Sequence, residues 1–203
     1  MLKFDPQELT ERQNYKFLIG TSIPRPIAFI TSIGENGTVN GAPFSYFNIV
    51  SANPPMISVA IQRKNGFLKD TARNIKRSGE FVVHIVDDSN IEKINRTAAS
   101  LPPDESEIEK VNLTRVDSEI VSVPGIKEAK VRFECVLVDA IELGEEGNIG
   151  TDLIIGKIVQ FIIDEEIYLK NGRIYHEKLS PVSRLAGHNY TKIGEVFALK
   201  RPE

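Results

Sequence analysis

Apolar residues along the chain recur mostly at the two-residue period of strands, and only short stretches follow the period of helices. Residues 27–33 are apolar and β-rich, Gly34-Glu35-Asn36-Gly37 supplies turn chemistry, and Thr38 begins a return strand, which predicts a β-hairpin. Residues 56–61, entered through Pro54-Pro55, and residues 81–86 read as further strands. Two long strands are expected over 131–143 and 152–163, separated by the turn-rich stretch 144–150. Asn171-Gly172 marks another turn, and 193–199 reads as a closing strand.

Helical signals are fewer. Asp5-Pro6 suits an N-cap and first helical position, opening a polar helix to about residue 14. Over 65–77 the period changes: Leu68, Ala72 and Ile75 share a stripe, while Lys69, Asp70, Arg73, Asn74 and Arg77 cover other faces. Ser78-Gly79 ends that helix. A short helix is expected over 90–100, stopped by Pro102-Pro103, and the acidic stretch 102–109 reads as an exposed surface loop. Many strands, hairpin turns and few helices predict a mainly β fold, an antiparallel barrel or sandwich with helical insertions. There is no fixed-period repeat, and no GxGxxG or Walker A sequence.

Composition narrows the class. A length of 203 residues suits one domain over 1–203, and a net charge of -3 gives no support for nucleic-acid binding. Cys135 is the sole cysteine, which excludes an intrachain disulfide, and lies in an apolar strand as a small core residue. His84, His176 and His188 lie far apart without metal-ligand spacing, so no metal site is expected. The N-terminus lacks a signal-like apolar stretch. The most apolar run, 153–163, is too short to span a bilayer and contains Lys157, so a soluble, cytoplasmic protein without a membrane role is expected.

Three constellations carry candidate chemistry. The first is Gly41-Ala42-Pro43-Phe44-Ser45-Tyr46-Phe47-Asn48 with Ser51. It combines available backbone groups, hydroxyls and aromatic surface, which suits either a flat heteroaromatic ring with polar edges or a polar loop pinned by its aromatics. The second is Arg63-Lys64-Asn65 at a helix start with Asp70, Thr71 and Asn74. Cations beside free helix N–H groups suit a phosphate, and equally a solvated charged helix capped at Asn65. The third is Arg184, His188 and Tyr190, able to meet an anionic or aromatic ligand or to serve as an ordinary loop. Arg25, between two prolines, adds a cation that suits a ligand phosphate or a surface ion pair. No local signature pairs a nucleophile with a base, so no catalytic residue is named.

The order of these motifs resembles the flavin reductase-like family. Pro24-Arg-Pro-Ile-Ala-Phe-Ile30, Asn40-Gly-Ala-Pro-Phe-Ser45, Ser51-x-x-Pro-Pro55 and Lys69-Asp-Thr-x-x-Asn74 stand in the family's order. They are followed by Phe133-Glu-Cys-x-Leu137 and Arg184-Leu-x-Gly187-x-x-Tyr190. The resemblance implies an FMN-binding split β-barrel, a homodimer with flavin near the subunit interface. It places residues 42–48 and Ser51 along the isoalloxazine and ribityl parts, and Arg63, Lys64, Asp70 and Thr71 near the phosphate with Asn74 in support. It places 184–190 close to the flavin, from either subunit. Two departures stand out: His84 occupies a position where the family carries asparagine, and Ala186 replaces the first glycine of a Leu-Gly-Gly pattern.

The resemblance implies an NAD(P)H-dependent flavin reductase, with NADH or NADPH as co-substrate and an oxygenase or redox protein as possible partner. The alternative is a flavoredoxin-like FMN electron carrier reduced by a protein partner. The motifs themselves predict the same flavin site for both.

Overall fold

The computed structural model describes residues 1–202 except Ser100, Pro103 and Glu146. Helix α1 (Glu11–Thr21) leads into strand β1 (Arg25–Pro26) and the hairpin of β2 (Ala28–Ile33) and β3 (Val39–Phe44). A second hairpin, β4 (Phe47–Ala52) with β5 (Pro55–Gln62), precedes α2 (Asp70–Ser78) and β6 (Glu80–Ile85). Short helices α3 (Ile91–Arg96) and α4 (Glu107–Lys110) and the small pair β7 (Arg115–Val116) and β8 (Gly125–Ile126) come next. The long hairpin β9 (Val131–Glu145) and β10 (Asn148–Ile163) follows, and then α5 (His176–Leu179), β11 (Val182–Arg184) and β12 (Tyr190–Lys192). Among the described residues no helix is long and apolar enough to cross a membrane.

Seven strands form one antiparallel sheet in the order β3-β2-β6-β9-β10-β5-β4. The sheet curls around a core of Ile30, Val59, Phe81, Cys135 and Ile154, and α2 contributes Ala72 and Ile75 to it. This is the expected β-barrel with helical insertions, in split form. Gly156 on β10 is part of how it closes: an added Cβ would stand 2.3 Å from the Phe81 ring, so only glycine lets the strand pass.

β2 shows why 27–33 reads as an unbroken apolar run. Ala28 and Ile30 face the barrel core, while Phe29 faces a second core with Val39, Val86, Ile94, Ile108 and Ile126. A strand covered on both faces loses its alternation.

Several local expectations change. The first helix begins at Glu11, not near Asp5, because Thr10 and Gln13 form a reciprocal capping box, with Thr10 N–H donating to Gln13 Oε1 at 2.9 Å. Asp5 instead accepts the Gln7 N–H at 2.9 Å in a local turn. The helix expected from Asn65 begins at Asp70: Asn65 has φ 53° within a tight turn closed by Phe67 N–H to Lys64 O at 3.0 Å. Its C-terminus is as expected, with Gly79 at φ 74° accepting the left-handed cap. The helix expected over 90–100 spans only Ile91–Arg96, and Ser100 and Pro103 lie outside the described residues. The acidic stretch 102–109 is not wholly exposed, since Ser106, Glu107 and Ile108 are buried. No strand forms over 193–199; the last one ends at Lys192. Val196, Phe197 and Leu199 are exposed and lie outside the strands.

His84 is a structural pin. Its Nδ1–H donates to Phe29 O at 3.0 Å and its Nε2 accepts the Ile126 N–H at 3.0 Å, tying β6 to β2 and β8. That pairing requires a neutral ring. Burial pushes the imidazole pKa down from 6.5 to about 3, outweighing the hydrogen bond to Phe29. The unfolded chain takes up a proton that the fold refuses, so stability falls as pH drops below 6.5. Urea melts should show about 2 to 3 kcal/mol lost between pH 6.5 and 4.5. His84→Gln should be less stable at neutral pH and lack that slope; an unchanged slope would remove His84 from this role.

Candidate functional site

The site begins where distant segments are stitched together. β1 pairs with β11 so that Arg25 stands opposite Arg184. The Arg25 guanidinium donates to Ile19 O at 2.9 Å, Ser22 O at 2.6 Å and Leu185 O at 3.0 Å, fastening α1 and the turn after β11 to β1. Its Nε and the Tyr46 hydroxyl are buried with no hydrogen-bond partner among the described residues. Both line a cleft of about 140 Å³ with Ser45, Gln62, Lys69 and Arg184. Burial raises the Tyr46 pKa, helped by Tyr15 and opposed by Arg25, so the phenol stays protonated and available as a donor.

Pro43, Phe44 and Lys69 also line the adjoining cavity, of about 510 Å³. Ala42, Lys64, Asp70 and Thr71 form its other side, and Leu101 and Glu107 wall it. Lys69 sits at the N-cap of α2 and makes no side-chain cap, which leaves first-turn N–H groups free of that partner. Its ammonium lies 5.9 Å from the centre of the Phe44 ring. Neither Lys64 nor Lys69 forms an ion pair with a described acidic residue. Lost hydration, then the neighbouring Lys64 charge, lowers the Lys69 pKa. Two uncompensated cations at a helix N-terminus make this end attractive to an anion.

A third depression, of about 380 Å³, continues past Asn40, Asp70 and Glu107, which line both cavities, to Gly34, Glu35, Asn36 and Arg73. Thr71 Oγ1 accepts from Asn40 Nδ2 at 2.9 Å, and Asn74 Nδ2 donates to Ser32 Oγ at 3.2 Å, so α2 is bolted to the β2–β3 hairpin. Glu107 Oε2 accepts the Gly41 N–H at 3.3 Å, and burial raises its pKa. The three spaces form one trough.

The structure thus gathers Arg25, Ala42, Pro43, Phe44, Ser45, Tyr46, Lys64, Asp70, Thr71, Asn74 and Arg184 along one surface. It sends the other sequence candidates elsewhere. Arg63 is consumed by the buried Asp152, with Nε to Oδ2 at 2.8 Å and Nη2 to Oδ1 at 2.9 Å, and by Glu142 at 2.9 Å. A carboxylate without water must be paired, so that guanidinium is not free for a phosphate. Phe47 packs against the barrel core. Asn48 is exposed and accepts the Ile49 N–H at 2.8 Å, and Ser51 accepts the Asn53 N–H at 3.2 Å. His188 is exposed and is not among the residues that line the trough. Tyr190 donates to Asn95 Oδ1 at 2.6 Å, supports the Arg184 guanidinium 4.4 Å above its ring, and lines a separate apolar groove with Ile91 and Val182. Gly187, by contrast, lines the cleft, and at φ 61° it serves the turn in which Leu185 N–H donates to Asn189 O at 3.0 Å.

Lys69, Gln62 and Glu107 line the trough without being among the candidates read from the sequence. Lys69 carries a signal, the Lys-Asp-Thr triplet, although helical periodicity says only that it lies off the apolar stripe. Glu107 carried none, since an acid in an acidic stretch reads as solvent-facing.

Residues 20–178 match the model of the flavin reductase like domain. Over 204 residues the chain is 52% identical to the uncharacterized protein YwrF of Bacillus subtilis (strain 168), covering 100% of both. It superposes on the crystal structure of nitrilotriacetate monooxygenase component B from Bacillus cereus with a TM-score of 0.96 at 58% identity, covering 98% of each chain. The Pseudomonas fluorescens 2-nitrobenzoate 2-nitroreductase NbaA superposes with a TM-score of 0.89 at 30% identity, covering 99% of this chain and 96% of that one. The chain belongs to the flavin reductase-like family.

Asp152→Ala removes the shared partner of Arg63 and Lys76 and should cost about 3 kcal/mol in urea unfolding. Lys64→Ala, at an exposed turn, should change stability by less than about 0.5 kcal/mol.

Proposed function

We propose that this family member is a flavoprotein that binds FMN along the trough and acts as an NAD(P)H-dependent flavin reductase. The observation that carries this is the polarity of the trough: two buried, unpartnered donors at one end, and two unpaired lysines beside a helix N-terminus in the middle. A ring with polar edges joined to a phosphate has the complementary arrangement. The residues present therefore fit FMN. Arg25, Ser45 and Tyr46 would hold the ring end, and Lys64, Lys69 and Thr71 the phosphate end, with Asn40 and Asn74 fixing α2 against them. Bound FMN supplies an acceptor for the hydride of a reduced nicotinamide. The chain's contribution is to position it and to aim N–H and O–H donors where negative charge would develop. This accounts for the lack of an acid–base dyad: donors held in place, not a travelling proton, are what the protein provides.

We read residues 1–203 as a single domain and the functional unit as a homodimer. The support is that β4, an edge strand of the sheet, presents Ile49 and Val50 to solvent beside Asn48. Motif residues that miss the trough of one subunit are then available to that of a second. The family relationship to a monooxygenase component supports an oxygenase or other redox protein as the recipient of electrons.

Flavin fluorescence titration should show FMN binding, and Lys69→Ala should weaken it about tenfold with unchanged melting behaviour. Arg63→Ala should lower stability instead. Anaerobic mixing of the FMN-loaded protein with NADH and with NADPH should bleach the oxidised flavin band rapidly with at least one of them. Absence of bleaching with both would favour the electron-carrier reading, and absence of FMN binding would sink both.

A further inference from the structure

The stretch after β12 has the composition of a strand and forms none. Ile193, Val196, Phe197 and Leu199 are apolar and mostly β-prone, yet all are exposed, Phe197 at 76% and Leu199 at 83%. Residues 193–202 make no backbone hydrogen bond to a described residue. Apolar side chains left together in water mark a contact surface.

A surface that suits them lies along β12. It is an outer strand of the three-stranded sheet β1-β11-β12, so its edge away from β11 has no partner strand among the described residues. The apolar groove of about 390 Å³ lined by Ile91, Val182, Tyr190 and Thr191 runs beside it. A strand added to that edge would complete the ladder and lay alternate side chains along the groove. The charges match as well. Glu92 on the groove's rim, and Lys200 and Arg201 beyond Leu199, are exposed and free of ion pairs among the described residues. The tail does not meet this edge within its own chain. A return onto β12 needs a tight turn just past Lys192, and Gly194 is not among the glycines with positive φ. Ile193, Gly194 and Val196 instead run on beside α5, lining a depression with His176 and Glu177.

We propose that residues 193–201 form an arm that adds to the β12 edge of a second copy, seating Phe197 and Leu199 in its apolar groove and bringing Lys200 and Arg201 to its Glu92. The exchange is reciprocal, each copy giving an arm and receiving one, as a two-fold axis requires. It goes beyond the flavin reading and does not depend on FMN. It is continuous with the homodimer contact read at β4, because β1 of the same small sheet lies against β4. β11, between β1 and β12, carries Arg184 of the cleft. The arm of one copy therefore braces a wall of the other copy's cleft.

Sedimentation equilibrium of the full chain should give a dimer. Phe197→Asp combined with Leu199→Asp should raise its dissociation constant at least about tenfold with an unchanged circular dichroism spectrum, since neither side chain is buried within its own chain. Glu92→Lys, at an exposed helix position, should raise it several-fold, and less so at high salt. Cysteine pairs locate the arm. Glu92→Cys in one chain and Leu199→Cys in a differently tagged chain should be joined by a short bismaleimide when mixed, while the buried Cys135 stays unmodified. Linkage only within a chain that carries both cysteines would place the tail on its own groove and overturn the proposal. Absence of any linkage, or a dissociation constant unmoved by the tail substitutions, would overturn it too. A dimer that persists in those cases leaves the β4 contact standing; a monomeric wild-type chain removes both.

Discussion

A carboxylate with no access to water sets the shape of the trough. Asp152 on β10 is fully buried, and its two oxygens take Arg63 from the end of β5 and Lys76 from α2. Glu142 on β9 accepts from the same two cations at 2.9 and 2.7 Å. The hydrogen bond from Arg63 holds the Asp152 carboxyl below its ordinary range, so it remains charged and keeps demanding both partners. The consequence reaches beyond stability. Fixing both the residue before the 64–67 turn and the last turn of α2 leaves the intervening Lys64 and Lys69 facing the cavity. One cation is given up to the fold, and two others are left facing the cavity.

The rest of the site follows from who holds whom. Arg25 spends both Nη atoms on backbone carbonyls of α1 and of the turn after β11, leaving Nε in the cleft. Thr71 and Asn74 are engaged with Asn40 and Ser32, so they position α2 and hold the hairpin to it. Gly41 has no room for a side chain, since an added Cβ would stand 2.7 Å from Phe29 and 2.8 Å from Ile108. That close approach lets α4 lie against β3 and carries Glu107 to the edge of the trough. The trough is therefore walled by a segment that belongs to the second core, and its acidic end depends on packing outside the barrel.

Much of the fold was legible along the chain. The 34–37 turn, the long β9–β10 hairpin, the Gly79 cap and the buried strand β6 follow from periodicity and turn chemistry, because each depends on residues a few positions apart. The motif order pointed to the family for a different reason, since it records which segments must meet. Expectations failed where local chemistry offered two equivalent answers. Asp5-Pro6 and Thr10 both suit a helix start, and the capping box with Gln13 decided for Thr10. The segment 193–199 has strand-like composition, yet it pairs with none of the strands.

The sequence by itself determined the strand content, the principal turns, and the presence, in a recognisable order, of residue types suited to a ring and a phosphate. Only the tertiary structure decided which of those residues face the trough. Arg63 and Lys69 are equally plausible cations on paper; Asp152, 89 positions from Arg63, takes the first and leaves the second. Glu107 reads as a surface acid until α4 packs on Phe29 and Gly41. Arg25 and Arg184 meet only through the β1–β11 pairing. The physical reason is common to all three. A charged side chain goes to the partner that best compensates its desolvation, and that partner is set by long-range packing that periodicity does not encode.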